Sequence, residues 1–249
     1  MTEGHQTEGL HDTVQGSATP EPQGTFRVGD VLLERFKLVR LVGRGGMGEV
    51  YEARDLRLHI NIALKTVRAS SAGNPELLDR LRREVQLARA VTHPNVCRLF
   101  DLHEGSGPDG PVAFVTMEFL DGQTLAERLE AGPLPPREAI PLLEQMAEGL
   151  AAIHAKGLVH RDFKPGNVML VSDEGKPRAV VTDFGIARAA RDSGAHGTGW
   201  MGTEEGAVIG SPAYMSPEQR QGSEVNSRSD IHALALVACE VVSGKLPSE

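Results

Sequence analysis

The chain is 249 residues long, enough for one or two modest domains with a substantial buried core. Its 40% hydrophobic and 24% charged residues describe an ordinary soluble protein, and a formal net charge of −8 argues against a nucleic-acid binder, which carries a basic face. No stretch approaches the roughly 18 apolar residues of a membrane span, and Met1-Thr2-Glu3-Gly4-His5 is no secretory signal, so a cytoplasmic protein is expected. Cys97 and Cys239 each sit in an apolar run far from the other, which reads as buried free thiols rather than a disulfide.

Residues 1–25 are polar, without periodicity, and read as a disordered tail. Order begins near Phe26. Phe36 to Leu41 alternates toward Gly43-Arg44-Gly45-Gly46-Met47-Gly48-Glu49-Val50, and Tyr51-Glu52-Ala53 continues as strand. A glycine-rich turn between two strands lets backbone N–H groups approach phosphate oxygens, because a side chain there would block them. A dinucleotide-binding fold uses similar glycines but opens a helix after them, which this chain does not.

Ile60 to Val67 is the next strand and carries Lys65, a costly residue in an apolar run unless paired. The helix expected from Pro75 to Ala90 presents Leu77, Leu78, Leu81, Val85 and Ala88 on one face, with Glu84 beside it and Glu76 as a rival acid. His93-Pro94-Asn95 is a turn, and strands are expected over Val96–Leu102 and Val112–Met117, after which Glu118 to Gly122 leaves the sheet. Helices follow over Thr124–Ala131 and Pro136–Lys156, the longer one bearing Leu142, Leu143, Met146, Leu150 and Ile153 at helical spacing.

Next stands His160-Arg161-Asp162-Phe163-Lys164-Pro165-Gly166-Asn167, then an apolar strand over Val168–Val171, a polar turn, a strand over Ala179–Thr182, and Asp183-Phe184-Gly185. A hairpin between these strands puts Asn167 and Asp183 at the two ends of one ribbon and gathers Asp162, Asn167 and Asp183 in one place. Two carboxylates and an amide suit Mg²⁺ and its phosphates rather than a soft metal. From Asp183 to Glu218 the chain is Gly-rich and irregular, too long for a passive connection. Asp230 is expected to open a helix running to Ser243 that is apolar on nearly every side and so belongs in a core.

These segments resemble the catalytic loop, magnesium loop and phosphate lid of the protein-kinase family, and Lys164 resembles its serine/threonine branch. The Gly-Gly-Met-Gly lid and Ser-Pro-Glu-Gln ending are most similar to bacterial members. The resemblance implies an α+β, protein-kinase-like two-lobed fold: an N-lobe over residues 26–118, a hinge at 119–122 and a mostly helical C-lobe over 123–249. It implies transfer of the γ-phosphoryl group of ATP, with Mg²⁺ or alternatively Mn²⁺, to Ser or Thr hydroxyls of a protein substrate. Asp162 would accept or orient the hydroxyl proton, Lys164 steady the γ-phosphate, Asn167 and Asp183 hold the metal, and Lys65, oriented by Glu84, the other phosphates. Gly43, Gly45, Gly46 and Gly48 would form the lid. Val42, Val50, Ala63, Met117 and Met169 would wall the adenine, which would bond the backbone of Glu118 and Leu120. Asp230 would brace the His160-Arg161 turn.

Arg161 before the base marks the kinase type whose loop is ordered by phosphorylation. The expected site is Thr203, then Thr198; Ser211 would contact Asp162 and Lys164. Self-association for autophosphorylation in trans is a further implication. Family members continue past a sequence like Lys245-Leu246-Pro247 through several helices, which supply an Arg that pairs with Glu218. The expected C-lobe is therefore incomplete, either as part of a longer protein or as a natively short product needing a partner. Two other readings stand beside this one: a small-molecule phosphotransferase of the antibiotic-kinase type, which normally lacks the Arg after the His and the Ser-Pro-Glu segment, and an ATP-binding regulatory module without efficient transfer.

Overall fold

Six antiparallel strands form the first layer: β1 (Val31–Leu32), β2 (Phe36–Gly45), β3 (Gly48–Asp55), β4 (Ile60–Thr66), β5 (Leu99–Gly107) and β6 (Gly110–Glu118), in the order β1-β2-β3-β4-β6-β5. The computed structural model describes Met1 and residues 25–45, 48–67, 74–107, 110–173, 175–184 and 212–247. Gly46, Thr198, Thr203 and Ser211 lie outside them, as does nearly all of the expected tail.

Side-chain alternation along a strand gives this sheet two different faces. Leu38, Tyr51, Ala53, Ile62, Leu64 and Phe114 pack with Phe26, Leu32 and Phe36 on one. Ala63, Val115 and Met117 belong to the larger core that continues into the helical half of the molecule. The helix α1 (Pro75–Arg89) joins that core through Leu81, Val85 and Ala88, and the Asn74 side chain caps it by accepting from the Glu76 and Leu77 N–H groups.

After the sheet come β7 (Gly122–Thr124), α2 (Leu125–Glu130), α3 (Pro136–His154), a 3₁₀ turn at Pro165–Asn167, β8 (Val168–Asp173) and β9 (Lys176–Val181). Strands β7, β8 and β9 make a second antiparallel sheet. Helix α3 lies close against β9: a Cβ built at Gly149 would come within 2.6 Å of the Asn95 carbonyl oxygen and 3.1 Å of Val181. A second 3₁₀ turn at Pro212–Tyr214 precedes α4 (Pro217–Arg220) and α5 (Ser227–Ser243).

Several sequence expectations change. The strand placed over Val96–Leu102 starts at Leu99, because Val96 bridges Val181 and the Cys97 N–H donates to the Val181 carbonyl, so this backbone is taken by β9. The last helix starts at Ser227 rather than Asp230, since the Asn226 side chain caps it by accepting from the Arg228 N–H. Nor is it core on all sides: Ala233, Val237 and Val241 are buried while Ile231 is 53% and Val242 47% exposed. Cys97 is buried as expected, but Cys239 is exposed. Among the described residues no helix is long and apolar enough to cross a membrane.

Candidate active site

The turn that follows α3 is held by side chains from distant elements. Asp230, 1% exposed in the first turn of α5, accepts from the backbone N–H groups of His160 and Arg161, each at 2.8 Å. His154 Nε2, near the end of α3, lies 2.7 Å from the same carboxylate. Arg161 has φ of 69°, a left-handed conformation that costs of order 1–3 kcal/mol for a residue with a side chain and persists only where its surroundings impose it. The expected bracing by Asp230 is therefore present, with two backbone donors fixed on one carboxylate.

His160 joins this turn to the next loop. Its Nε2–H donates to the Thr182 carbonyl at 2.8 Å, and its Nδ1 accepts from the Asp162 N–H at 3.3 Å. That pattern requires the neutral ring protonated on Nε2. Complete burial pushes the His160 pKa down and keeps the ring neutral, against the opposing pull of Asp230 and Asp162.

The hairpin register pairs Val168 with Val181, and the Thr182 N–H donates to the Asn167 carbonyl at 2.9 Å. Asn167 and Asp183 thus flank its open end. The Asn167 Nδ2 donates to the Asp162 carbonyl at 2.7 Å and to Asp162 Oδ2 at 3.2 Å, while Lys164 Nζ lies 3.0 Å from that Oδ2. The Asp162 carboxylate is oriented by an amide and an ammonium together.

Asp183 is also left-handed, with φ of 62°. Its Oδ1 pairs with Lys65 Nζ at 2.8 Å, across from β4. Burial raises the Asp183 pKa, but the Lys65 ammonium more than offsets it, and the carboxyl ends below its ordinary value. Lys65 therefore meets Asp183, while Asn167 and Lys164 meet Asp162; the family resemblance, not spacing, had implied the place of the amine. Lys65 makes this ion pair with Asp183; Glu84, half-buried on α1, was expected to orient it.

For a divalent cation, the donor chemistry fits. Asn167 Oδ1 and Asp183 Oδ2 accept no hydrogen bond among the described residues, and both are hard oxygens. Among the described residues no group of three or more His, Cys, Asp or Glu could hold a metal by itself. A site of one carboxylate and one amide suits Mg²⁺, which is held by few protein ligands and completes its shell with substrate phosphates and water.

Above this cluster the sheet supplies a wall. Register places Val50 opposite Lys65 and Lys65 opposite Val115, with Ala63 opposite Met117, so Val50, Ala63, Lys65 and Met117 share one face. Val50, Leu120 and Met169 are half-buried against the same core as Ala63 and Met117, whereas Val42 is 48% exposed. Glu118 ends β6 and Leu120 lies in the short link to β7. At the lid, Gly48 has φ of 139°, and a Cβ there would clash with the Thr66 carbonyl oxygen. Arg44 pairs with Glu49 across the hairpin at 3.0 Å, and the Glu49 N–H donates to Thr66 Oγ1 at 2.9 Å, so the lid is stitched to β4. Gly43 and Gly45 lie on the opposite strand of this hairpin.

An amine, two acids and an amide under a glycine lid are matched by sequence comparison. The profile of the protein kinase domain covers residues 36–249. The chain belongs to the protein kinase family. This kinase domain is 42% identical over 218 residues to the serine/threonine-protein kinase PknB of Mycolicibacterium smegmatis, which spans 87% of this chain and 33% of that protein. It is 41% identical to the serine/threonine-protein kinase pkn2 of Myxococcus xanthus over 87% of the chain and 25% of that protein. For PrkC of Bacillus subtilis the identity is 37%, over 88% of the chain and 32% of that protein. The kinase domain thus spans a third or less of these relatives' length. A crystal structure of the Mycobacterium tuberculosis PknI kinase domain is similar at a TM-score of 0.67 and 28% identity, covering 90% of this chain and 80% of that one. The fold is that of protein kinases, a curled antiparallel β-sheet lobe over a helical lobe.

Two contacts of this kinase domain escape sequence reading. Glu218, expected to lack its Arg partner, accepts a hydrogen bond from the Ser229 hydroxyl of α5. Gln219, next to it, reaches the catalytic loop: its Nε2 donates to the Arg161 carbonyl at 2.7 Å. The capping pattern Ser-x-x-Gln at 216–219 was the one local signal available, and it indicates a helix start rather than a tether.

Proposed function

We propose that this domain transfers the γ-phosphoryl group of ATP to Ser or Thr hydroxyls of a protein, with Asp162 as the group that receives or orients the hydroxyl proton. The observation that carries the reading is the convergence of Lys65 on Asp183 at 2.8 Å and of Lys164 and Asn167 on Asp162 at 3.0 and 3.2 Å. Protein kinases generally use ATP and Mg²⁺. Bound there, Mg²⁺ would supply positive charge to neutralise what develops on the phosphates in transfer. Asn167 and Asp183 would hold it through oxygens that accept no hydrogen bond among the described residues.

The remaining roles belong to the chain. Lys65 neutralises phosphate, and its pairing with Asp183 is exchanged for that contact as substrate enters; Glu84 would then orient the freed amine. Lys164 sits on Asp162 and is positioned for the γ-phosphate. Gly43, Gly45, Gly46 and Gly48 keep side chains away from the phosphates, while Val42, Val50, Ala63, Met117 and Met169 form the adenine slot below Glu118 and Leu120. Residues 26–118 form the N-lobe, 119–122 the hinge and 123–249 the C-lobe. Thr203, Thr198 and Ser211 are the regulatory positions, and modification in trans requires self-association. Chemistry of this kind depends on placement and charge neutralisation.

The test is transfer of radiolabelled phosphate from ATP to a generic basic protein. Wild type should label it, Lys65→Met should not, and Asp162→Asn should bind ATP almost unchanged in a nucleotide titration while transfer falls by roughly 100-fold or more. Wild type that binds ATP but labels nothing would overturn the reading.

A further inference from the structure

The Arg161-Asp162 peptide is a rigid plane gripped at both edges. Its N–H, on Asp162, donates to His160 Nδ1 at 3.3 Å, and its carbonyl, on Arg161, accepts from Gln219 Nε2 at 2.7 Å. Arg161 is left-handed, so its plane departs from the conformation the chain would take unaided. Whatever turns that plane turns the Cα from which the Asp162 carboxylate projects. His160, Asn167 and Asp230, which also hold this turn, lie on the catalytic loop or on α5. Gln219 instead comes from α4, at the end of the Ser-Pro-Glu-Gln segment, and it is buried at 9% exposure.

We propose that Gln219 is a positioning residue for the catalytic carboxylate, coupling the seating of the Ser216–Gln219 segment to the orientation of Asp162. The inference rests on the kinase reading above and adds a regulatory link to it. The amide has two separate duties. Its Oε1 accepts from the Ser216 N–H at 3.1 Å, closing the cap of α4, while its Nε2 alone reaches the catalytic loop. Displacement of the segment therefore frees the Arg161 carbonyl without touching Asp162, Lys65 or Asp183.

The two duties can be tested apart. Gln219→Glu keeps the cap acceptor and the volume but loses the donor, whereas Ser216→Ala weakens the cap and keeps the donor. Volume matters because a cavity of about 10 Å³ borders Arg161, Asp162, Gln219 and Asp230, and a truncation there would admit a water able to bond the carbonyl. Gln219→Met is the uncharged second variant. Using the full chain, kcat and KM for ATP would be measured with a generic basic protein as acceptor, together with hydrogen–deuterium exchange over residues 158–164. Both Gln219 variants should lose roughly tenfold in kcat at unchanged KM for ATP, as expected for one hydrogen bond to a buried carbonyl. Exchange at Arg161 and Asp162 should rise in both and stay near wild type in Ser216→Ala. The proposal is overturned if kcat and exchange in both Gln219 variants stay within about twofold of wild type, or if Ser216→Ala matches their losses. A wild type without transfer would sink the kinase reading, and the exchange data would still decide the tether.

Discussion

Replacing Asp230 by Asn keeps the shape of a buried side chain and removes the charge on which the catalytic turn hangs. The carboxylate accepts from two backbone N–H groups at 2.8 Å and from His154 Nε2 at 2.7 Å. An amide has one acceptor oxygen, so its NH₂ must face either the His160 N–H or the Arg161 N–H. A hydrogen bond to a charged group is worth about 1.5–3 kcal/mol, and a buried donor left unmade costs about 1–3 kcal/mol. With the His160 donor buried and the Arg161 donor partly so, the loss comes to roughly 3 kcal/mol. For a domain of this size that lowers the melting temperature by roughly 6–12 °C. The left-handed Arg161 also loses a restraint, so kcat should fall by about tenfold or more. His154→Ala, which leaves both backbone donors on Asp230, should cost only about 1 kcal/mol. Thermal unfolding followed by circular dichroism, beside steady-state transfer to a basic protein, measures both quantities. An Asp230→Asn protein that melts within about 2 °C of wild type and transfers at the same rate would refute the reasoning.

Gly48→Ala places a Cβ against the Thr66 carbonyl at φ of 139°, so the lid must shift off β4; KM for ATP should rise several-fold in an initial-rate assay while α1 and α5 stay folded. An unchanged KM would mean that the lid does not touch the nucleotide. Asp55 accepts from Arg35 Nη2 at 2.7 Å, and these hydrogen bonds, only partly opposed by burial, lower its pKa from 3.8 to about 2. The folded value lies below the unfolded one, so the stabilisation is fully present above pH 3.8 and is lost as pH falls toward 2. The gap in urea stability between wild type and Asp55→Asn should be roughly 2 kcal/mol near neutral pH and narrow steadily below pH 4. A gap equal at pH 6 and pH 3 would show that the ion pair carries none of it.

Local pattern was enough for much of this protein. Alternation set which face of β4 carries Ala63 and Lys65, and the hairpin between β8 and β9 set Asn167 beside Asp183, because both follow from strand geometry over a few residues. The glycine lid was legible for the same reason, since a strand continuing past it excludes a helix start. Boundaries were less so. Leu99 opens its strand only because Val181 has claimed the backbone just before it, and Ser227 opens α5 because Asn226 is the better cap. The partner of Lys65, the grip of Asp230 on two N–H groups, and the reach of Gln219 to Arg161 were decided by how α4, α5 and β4 pack around the loop. Those contacts join residues 58 to 76 positions apart in the cases of Gln219 and His154, a distance over which no short-range spacing constrains a side chain. Sequence alone determined which groups could do the chemistry; the packing of helices on the loop determined how they are held.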